Sequence, residues 1–306
     1  MSSRVAAIDC GTNSIRLLIA EREGSALFDV VREMRVVRLG EGVDTSGALL
    51  PEAIERTRLA LAEYVAMIAE HEVQAIRMVA TSASRDASNA SAFEAMVLAT
   101  LGQAPEVITG DQEARLSFDG ATRGLRGELP LPTLVVDIGG GSTEFVLGGD
   151  RVIAARSVDI GCVRMTERHL VGDPPTDDQI ARAVADIDAA IALASETVPF
   201  ADAHSLVGVA GSVTTVAGIA LELEAYDSDL IHGSVISRSR VDSITHQLLL
   251  STRAVRAGIA VMHPGRVDVI GGGALVLSRI MHFMDVDEVW VSESDILDGI
   301  AWSLAA

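Results

Sequence analysis

The sequence predicts an α/β protein of two similar domains, each a mixed sheet flanked by helices, with a cleft between them. Three observations carry that expectation. The length, 306 residues, suits about two domains. Short apolar runs alternate with longer stretches of helical period. One pattern, an apolar strand ending in Asp, a Gly/Ser/Thr turn and a returning strand, also occurs twice, as VAAIDCGTNS from Val5 and as LVVDIGGGS from Leu134. The second Asp, Asp137, follows Asp9 at about one domain's length.

The elements follow in order. Residues 4–9, 15–21 and 26–33 read as three strands joined by Gly-containing turns. Pro51 opens a helix whose Ile54, Thr57, Leu61, Tyr64, Val65 and Ile68 share one face. Residues 76–81 read as a strand, 91–101 as a helix and 106–109 as a strand. A helix is then expected from about Gln112, with Asp111 as its N-cap. Residues 124–132, GLRGELPLP, read as a linker, which sets the domains at 1–125 and 126–306. The second half gives strands at 133–137, 144–148 and 151–157, and a long helix from Thr176 to about Thr197. A strand at 206–210, a Gly-Ser turn and a helix from Val213 come next. A helix at 241–255, a strand at 267–270, a helix from Gly271 to His282, a strand at 288–292 and a helix at 296–304 complete the chain. That last helix is expected to pack back on the first domain.

Composition excludes several functions. The chain has 43 Asp and Glu against 24 basic residues, all of them Arg, for a net charge of −19. So acidic a surface argues against nucleic acid and anionic membranes as partners. Without lysine, neither Schiff-base chemistry nor a P-loop NTPase is available. Two cysteines, Cys10 and Cys162, and no basic–apolar leader suggest a reduced, cytoplasmic protein. The longest uncharged stretch, 205–221, contains Gly208, Gly211, Ser212, Thr214 and Thr215. It falls short of the ~20 apolar residues that span a bilayer.

The duplicated turns point to chemistry. A turn rich in Gly, Ser and Thr presents backbone N–H groups and hydroxyls without bulk, a concavity suited to phosphate. Thr12, Asn13 and Ser14 form one such turn, and Gly139, Gly140, Gly141 and Ser142 the other. An Asp at the end of each strand, Asp9 and Asp137, is placed to hold Mg²⁺ directly or through water. Gly211 and Ser212 follow a strand and open a helix, which offers a further anion site. Gly271–Gly273 also open a helix, where anion binding and close packing are equally good readings. Arg85, just after a strand, can fork two phosphate oxygens. Arg16 and Arg164 are weaker candidates, and Arg253, Arg256 and Arg266 cluster in sequence.

Seven segments now occur in order: VAAIDCGTNSIRLLIAE, VATSASRDASN, VITGDQEARLSFDGA, LVVDIGGGSTEFVLG, VDIGCVRMTERHL, GVAGSVTTVAG and VIGGGALVL. Together they resemble the exopolyphosphatase / guanosine pentaphosphate phosphohydrolase family, within the actin-like (ribonuclease H-like) superfamily. The resemblance covers essentially the whole chain and is to the short, two-domain members. It implies two actin-like domains with the active site in the cleft between them. It also implies a catalytic Glu113, in the context Gly110-Asp111-Gln112-Glu113-Ala114; many members carry two adjacent acids here, and Gln112 replaces the first. Asp137 and Glu144 match the family's acidic metal positions, with Asp9 equivalent in the first turn. The implied cofactor is Mg²⁺, with a monovalent cation such as K⁺ as a further candidate, and members are often homodimers. The implied reaction is hydrolysis of the terminal phosphoanhydride of inorganic polyphosphate, releasing orthophosphate. The runner-up is 5′-phosphohydrolysis of guanosine pentaphosphate (pppGpp), which would link the protein to the stringent response. A non-enzymatic alarmone- or nucleotide-binding regulator and an actin-like sugar or acetate kinase are rival readings of the same fold.

Overall fold

The computed structural model of the protein describes residues 3–23, 26–125 and 129–304. The chain forms two compact units, residues 1–120 with 296–306, and residues 121–295. The stretch read as a linker includes 126–128, which lie outside the described residues.

The first unit contains β1 (Ser3–Cys10), β2 (Ser14–Glu23), β3 (Ala26–Val36), α1 (Val43–Ser46), α2 (Pro51–Glu70), β4 (Ala75–Ala80), α3 (Ser82–Asp86), α4 (Ala90–Leu101) and β5 (Glu106–Val107). Helix α5 (Gly110–Arg123) then crosses the division at Gly120. The sheet order is β3-β2-β1-β4-β5. Strands β1, β2 and β3 are antiparallel, and β4 and β5 run parallel to β1. Side chains alternate across a strand, so β1 feeds two cores. Ala6, Ile8 and Cys10 pack with Leu61 and Tyr64 of α2 and Phe93 and Val97 of α4. The Tyr64 hydroxyl donates to the Ile15 carbonyl at 2.9 Å, anchoring α2 to the sheet. Val5 and Ala7 face the other way, onto Ile296, Leu297 and Ile300 of the last helix. Asp9 follows them on that second face.

The second unit contains β6 (Thr133–Ile138), β7 (Thr143–Gly148), β8 (Val152–Val158), α6 (Cys162–His169), α7 (Asp177–Ser195), β9 (Ser205–Val209) and α8 (Ala210–Ala220). It continues with α9 (Ser228–Ile231), β10 (Val235–Ser237), α10 (Arg238–Leu250), α11 (Arg253–Ala257), α12 (Ile270–Met284) and β11 (Glu288–Val291), before α13 (Ile296–Leu304) returns to the first unit. In the order β10-β11-β9-β6-β7-β8, the run from β8 to β11 repeats the first sheet's plan of an antiparallel trio beside two parallel strands, and β10 adds an antiparallel edge. Leu134, Val136, Ile138, Phe145 and Leu147 pack against Met165 of α6, Ile187 of α7, Val213 of α8, Ile244 of α10 and Ala274 of α12. Asp137 and Glu144 occupy the opposite face.

The mixed α/β class with two mixed sheets is as expected; several elements differ from expectation. Residues 267–270 are not a strand: a 3₁₀ turn at Pro264–Arg266 leads into α12 at Ile270. Their apolar side chains, Val267 and Ile270, are buried at a helix entry. The single helix at 241–255 is two helices, broken where the Thr252 hydroxyl accepts from Val255 N and starts α11. Helix α5 begins at Gly110, capped by Thr109 rather than Asp111. Thr109 N donates to Gln112 Oε1 at 2.9 Å and Gln112 N to Thr109 Oγ1 at 3.3 Å, a reciprocal capping box. Among the described residues, no helix is long and apolar enough to cross a membrane.

Candidate active site

The two turns match at the level of register. Asp9 pairs with Arg16 across the first hairpin and Asp137 with Glu144 across the second. Gly11 N donates to Ser14 O at 3.0 Å, and Gly139 N to Ser142 O at 3.1 Å.

The partners opposite the two Asp residues differ in charge. In the first unit Arg16 donates to Asp9 Oδ2 from Nε at 3.1 Å and from Nη2 at 2.7 Å. A cation is thus already built in beside Asp9, which is 5 % exposed. In the second unit two carboxylates stand opposite each other, with Asp137 6 % and Glu144 1 % exposed. Residues directly opposed across an antiparallel pair share a face, with Cβ atoms about 4.5–5.5 Å apart. Ser157, opposite Glu144 on β8, donates to Glu144 Oε1 at 2.7 Å and fixes that carboxylate. Among the described residues, no three His, Cys, Asp or Glu side chains converge on one metal position. A two-carboxylate donor set still fits Mg²⁺, which binds through one or two carboxylates and takes its other ligands from water and substrate phosphates.

The turn backbone is held from one side. In the second unit Gly161 N donates to Gly141 O, Cys162 N to Gly139 O and Val163 N to Gly140 O, at 3.1, 2.9 and 2.9 Å. Arg164 adds its Nε to Gly141 O at 2.8 Å. In the first unit Val37 N and Arg38 N donate to Asn13 O, and Gly40 N to Thr12 O. The Thr12 hydroxyl bonds Ser82 of α3 at 2.9 Å.

Helix α3 also carries Arg85. Its Nη1 donates to the Ile108 carbonyl at 3.0 Å and to Glu113 Oε2 at 3.1 Å. Glu113, in the first turn of α5, is 8 % exposed. Thr12, Arg85 and Glu113 therefore belong to one connected group in the first unit. Sequence reasoning finds Arg85 only as a phosphate ligand; its grip on Glu113 emerges only in three dimensions, where the Arg85 guanidinium reaches the first turn of α5.

In the second unit β9 ends beside β6, with Val209 paired to Asp137, so Gly211 and Ser212 of α8 begin at the same sheet end as the turn. Gly211 lies under the Arg266 guanidinium, which leaves no room for a Cβ. Arg266 Nη1 donates to Thr215 Oγ1 at 3.2 Å. Ser212 is buried against Gly273, and Gly272 meets the Cys162 carbonyl, so Gly271–Gly273 pack closely at a helix entry. The sequence cluster of Arg253, Arg256 and Arg266 is not one patch. Arg253 pairs with Asp268, and buried Arg256 holds the carbonyls of Val267 and Ser251. Burial pushes the Cys10 and Cys162 thiols up, so both are inert packing residues.

The Ppx/GppA phosphatase family matches residues 18–306. The chain belongs to that family. It is 49 % identical to a protein named Exopolyphosphatase 2 from Mycobacterium tuberculosis, with 99 % of each chain covered. It is 28 % identical to a Guanosine-5'-triphosphate,3'-diphosphate pyrophosphatase from Vibrio atlanticus, over 98 % of this chain and 59 % of that one. A solved structure of an exopolyphosphatase-like protein superposes with a TM-score of 0.96 at 44 % identity, covering 99 % of this chain and 98 % of that one.

Proposed function

We propose that the protein is an exopolyphosphatase that removes the terminal phosphate of inorganic polyphosphate. The observation that carries this reading is Glu113, a nearly buried carboxylate held 3.1 Å from the guanidinium of Arg85, a group whose fork matches phosphate. Full-length identity to a protein named Exopolyphosphatase 2 supports it.

Glu113 accepts a proton from the attacking water, help worth about 10²–10⁴-fold. The water oxygen bonds the terminal phosphorus, the bridging P–O bond breaks, and its electron pair stays on the shortened chain. Arg85 steadies the Glu113 carboxylate through Nη1 and offers its remaining N–H groups to phosphoryl oxygens. In the first unit the backbone N–H groups of Asn13 and Ser14, beside Thr12, are donors for phosphate; in the second unit those of Gly140, Gly141 and Ser142 are, beside Gly139, Gly211 and Ser212. Asp137 and Glu144 are the residues to hold Mg²⁺, which when bound supplies charge stabilisation at the phosphoryl oxygens. Asp9, already paired with Arg16, orients that arginine. Two unbridged, buried thiols suit a cytoplasmic setting.

Hydrolysis of pppGpp is the second reading, favoured by the similarity to the pyrophosphatase of Vibrio atlanticus. Phosphate release from medium and long polyphosphate, pppGpp and ATP, assayed in parallel with and without Mg²⁺, tests both. Mg²⁺-dependent release from polyphosphate without any acceptor is expected. Release from pppGpp alone selects the second reading, and release from none removes the first.

A further inference from the structure

Each phosphate turn is followed, two strands later, by a segment whose amides bond its carbonyls. After β3 these are Val37, Arg38 and Gly40; after β8 they are Gly161, Cys162, Val163 and Arg164. A trans peptide sets each C=O antiparallel to the N–H of the next residue. Holding the carbonyls of Gly139, Gly140 and Gly141 on one side therefore aims the N–H groups of Gly140, Gly141 and Ser142 to the other. Holding Thr12 O and Asn13 O does the same for the N–H groups of Asn13 and Ser14. Each segment also presses a glycine onto its turn. A Cβ on Gly161 would collide with the Gly140 carbonyl and the Gly141 nitrogen, and one on Gly40 with the Thr12 side chain, 3.1 Å from Ala83 Cβ. Arg38 adopts φ 48° to bring its N–H beside that of Val37 on one oxygen, a conformation costly for a residue with a side chain.

We infer that the duplicated unit is larger than the turn. It includes a glycine clasp, Gly40 in one unit and Gly161 in the other, that aims the turn amides at phosphate. Gly40 and Gly161 are positioning residues: they touch no substrate and act through the backbone they confine. The inference rests on the phosphate reading of the turns. The clasp preorganises the donors, so binding does not have to order the turn.

The test compares Gly161→Ala, Gly40→Ala, Gly140→Asp and Gly149→Ala in steady-state polyphosphate hydrolysis, with thermal unfolding alongside. Gly149 turns between β7 and β8 with only Leu131 Cδ1 near its Cβ direction, at 3.9 Å, and is the control. Misaiming two or three charge-assisted N–H donors is expected to raise KM about 10- to 100-fold. The Gly161→Ala and Gly40→Ala variants show that rise with little change in kcat, and Gly149→Ala stays at wild type. General destabilisation would instead remove active molecules, lowering kcat at unchanged KM. If Gly140→Asp raises KM and Gly161→Ala does not, the clasp is wrong and the phosphate turn stands. If Gly140→Asp changes nothing, the phosphate reading falls and the clasp with it. Hydrogen exchange on the wild-type protein covers variants that fail to fold. Amides 161–164 are expected to be protected with or without tripolyphosphate, and amides 140–142 only with it. Equal, fast exchange of both groups in the free protein overturns the clasp.

Discussion

Arg85 shows how one side chain can serve two ends. Its Nη1 bridges the Ile108 carbonyl and Glu113, which ties the end of the first sheet to the first turn of α5. Replacing Arg85 by Ala removes a hydrogen bond to a charged group, a loss of about 10- to 100-fold in kcat/KM. Lysine should recover only part of that, because an ammonium cannot reproduce the guanidinium's planar fork. Steady-state kinetics on both variants checks this; full activity in Arg85→Ala would remove the residue from the site. Cys10 and Cys162 behave oppositely. Both are buried and their thiols are pushed up by that burial, so iodoacetamide should label neither in the native protein, and activity should survive treatment.

Among the elements, α12 is set by close approach. Its Gly273 sits against Ser212 and Cys162 Cβ, the latter 3.2 Å from where a Cβ would stand. Gly273→Ala should cost about 1–3 kcal/mol through overpacking, read as a lower unfolding midpoint in urea. Packing is therefore what these glycines supply, where the sequence favours neither packing nor anion binding. Other elements are easier to read. The hairpins of β1–β2 and β6–β7 are legible because alternation, Asp and the Gly/Ser/Thr turn coincide, and α13 because its apolar run has clear ends. Residues 267–270 mislead because a short apolar run has no periodicity to separate a strand from a helix entry. The break at Thr252 is hidden because the helical pattern continues across it. Within the site, the turn residues are visible as local motifs, and Glu113 only through the family resemblance. The grip of Ser157 on Glu144, of Arg16 on Asp9 and of Gly161 on the Gly139–Gly141 turn is not, since each joins residues brought together only by strand pairing or chain return.

For the molecule as a whole, a net charge of −19 opposes a polyanionic substrate. On the proposed reading, binding comes from a local field of Arg side chains, oriented amides and, when bound, Mg²⁺, against that repulsive background. Chelation should therefore abolish phosphate release, and release should rise again on adding Mg²⁺. With Mg²⁺ saturating, monovalent salt should raise KM for polyphosphate, because screening weakens the local attraction at the site; a KM indifferent to salt would argue against that balance. On the proposed mechanism, Glu113 alone activates water for attack on a terminal phosphoryl group. Orthophosphate release from polyphosphate by wild type and Glu113→Gln, with calorimetric binding of tripolyphosphate to both, tests it most directly. Glu113→Gln is expected to lose release by about 10²-fold or more, with binding nearly unchanged. Release at the wild-type rate by the Gln variant would contradict it.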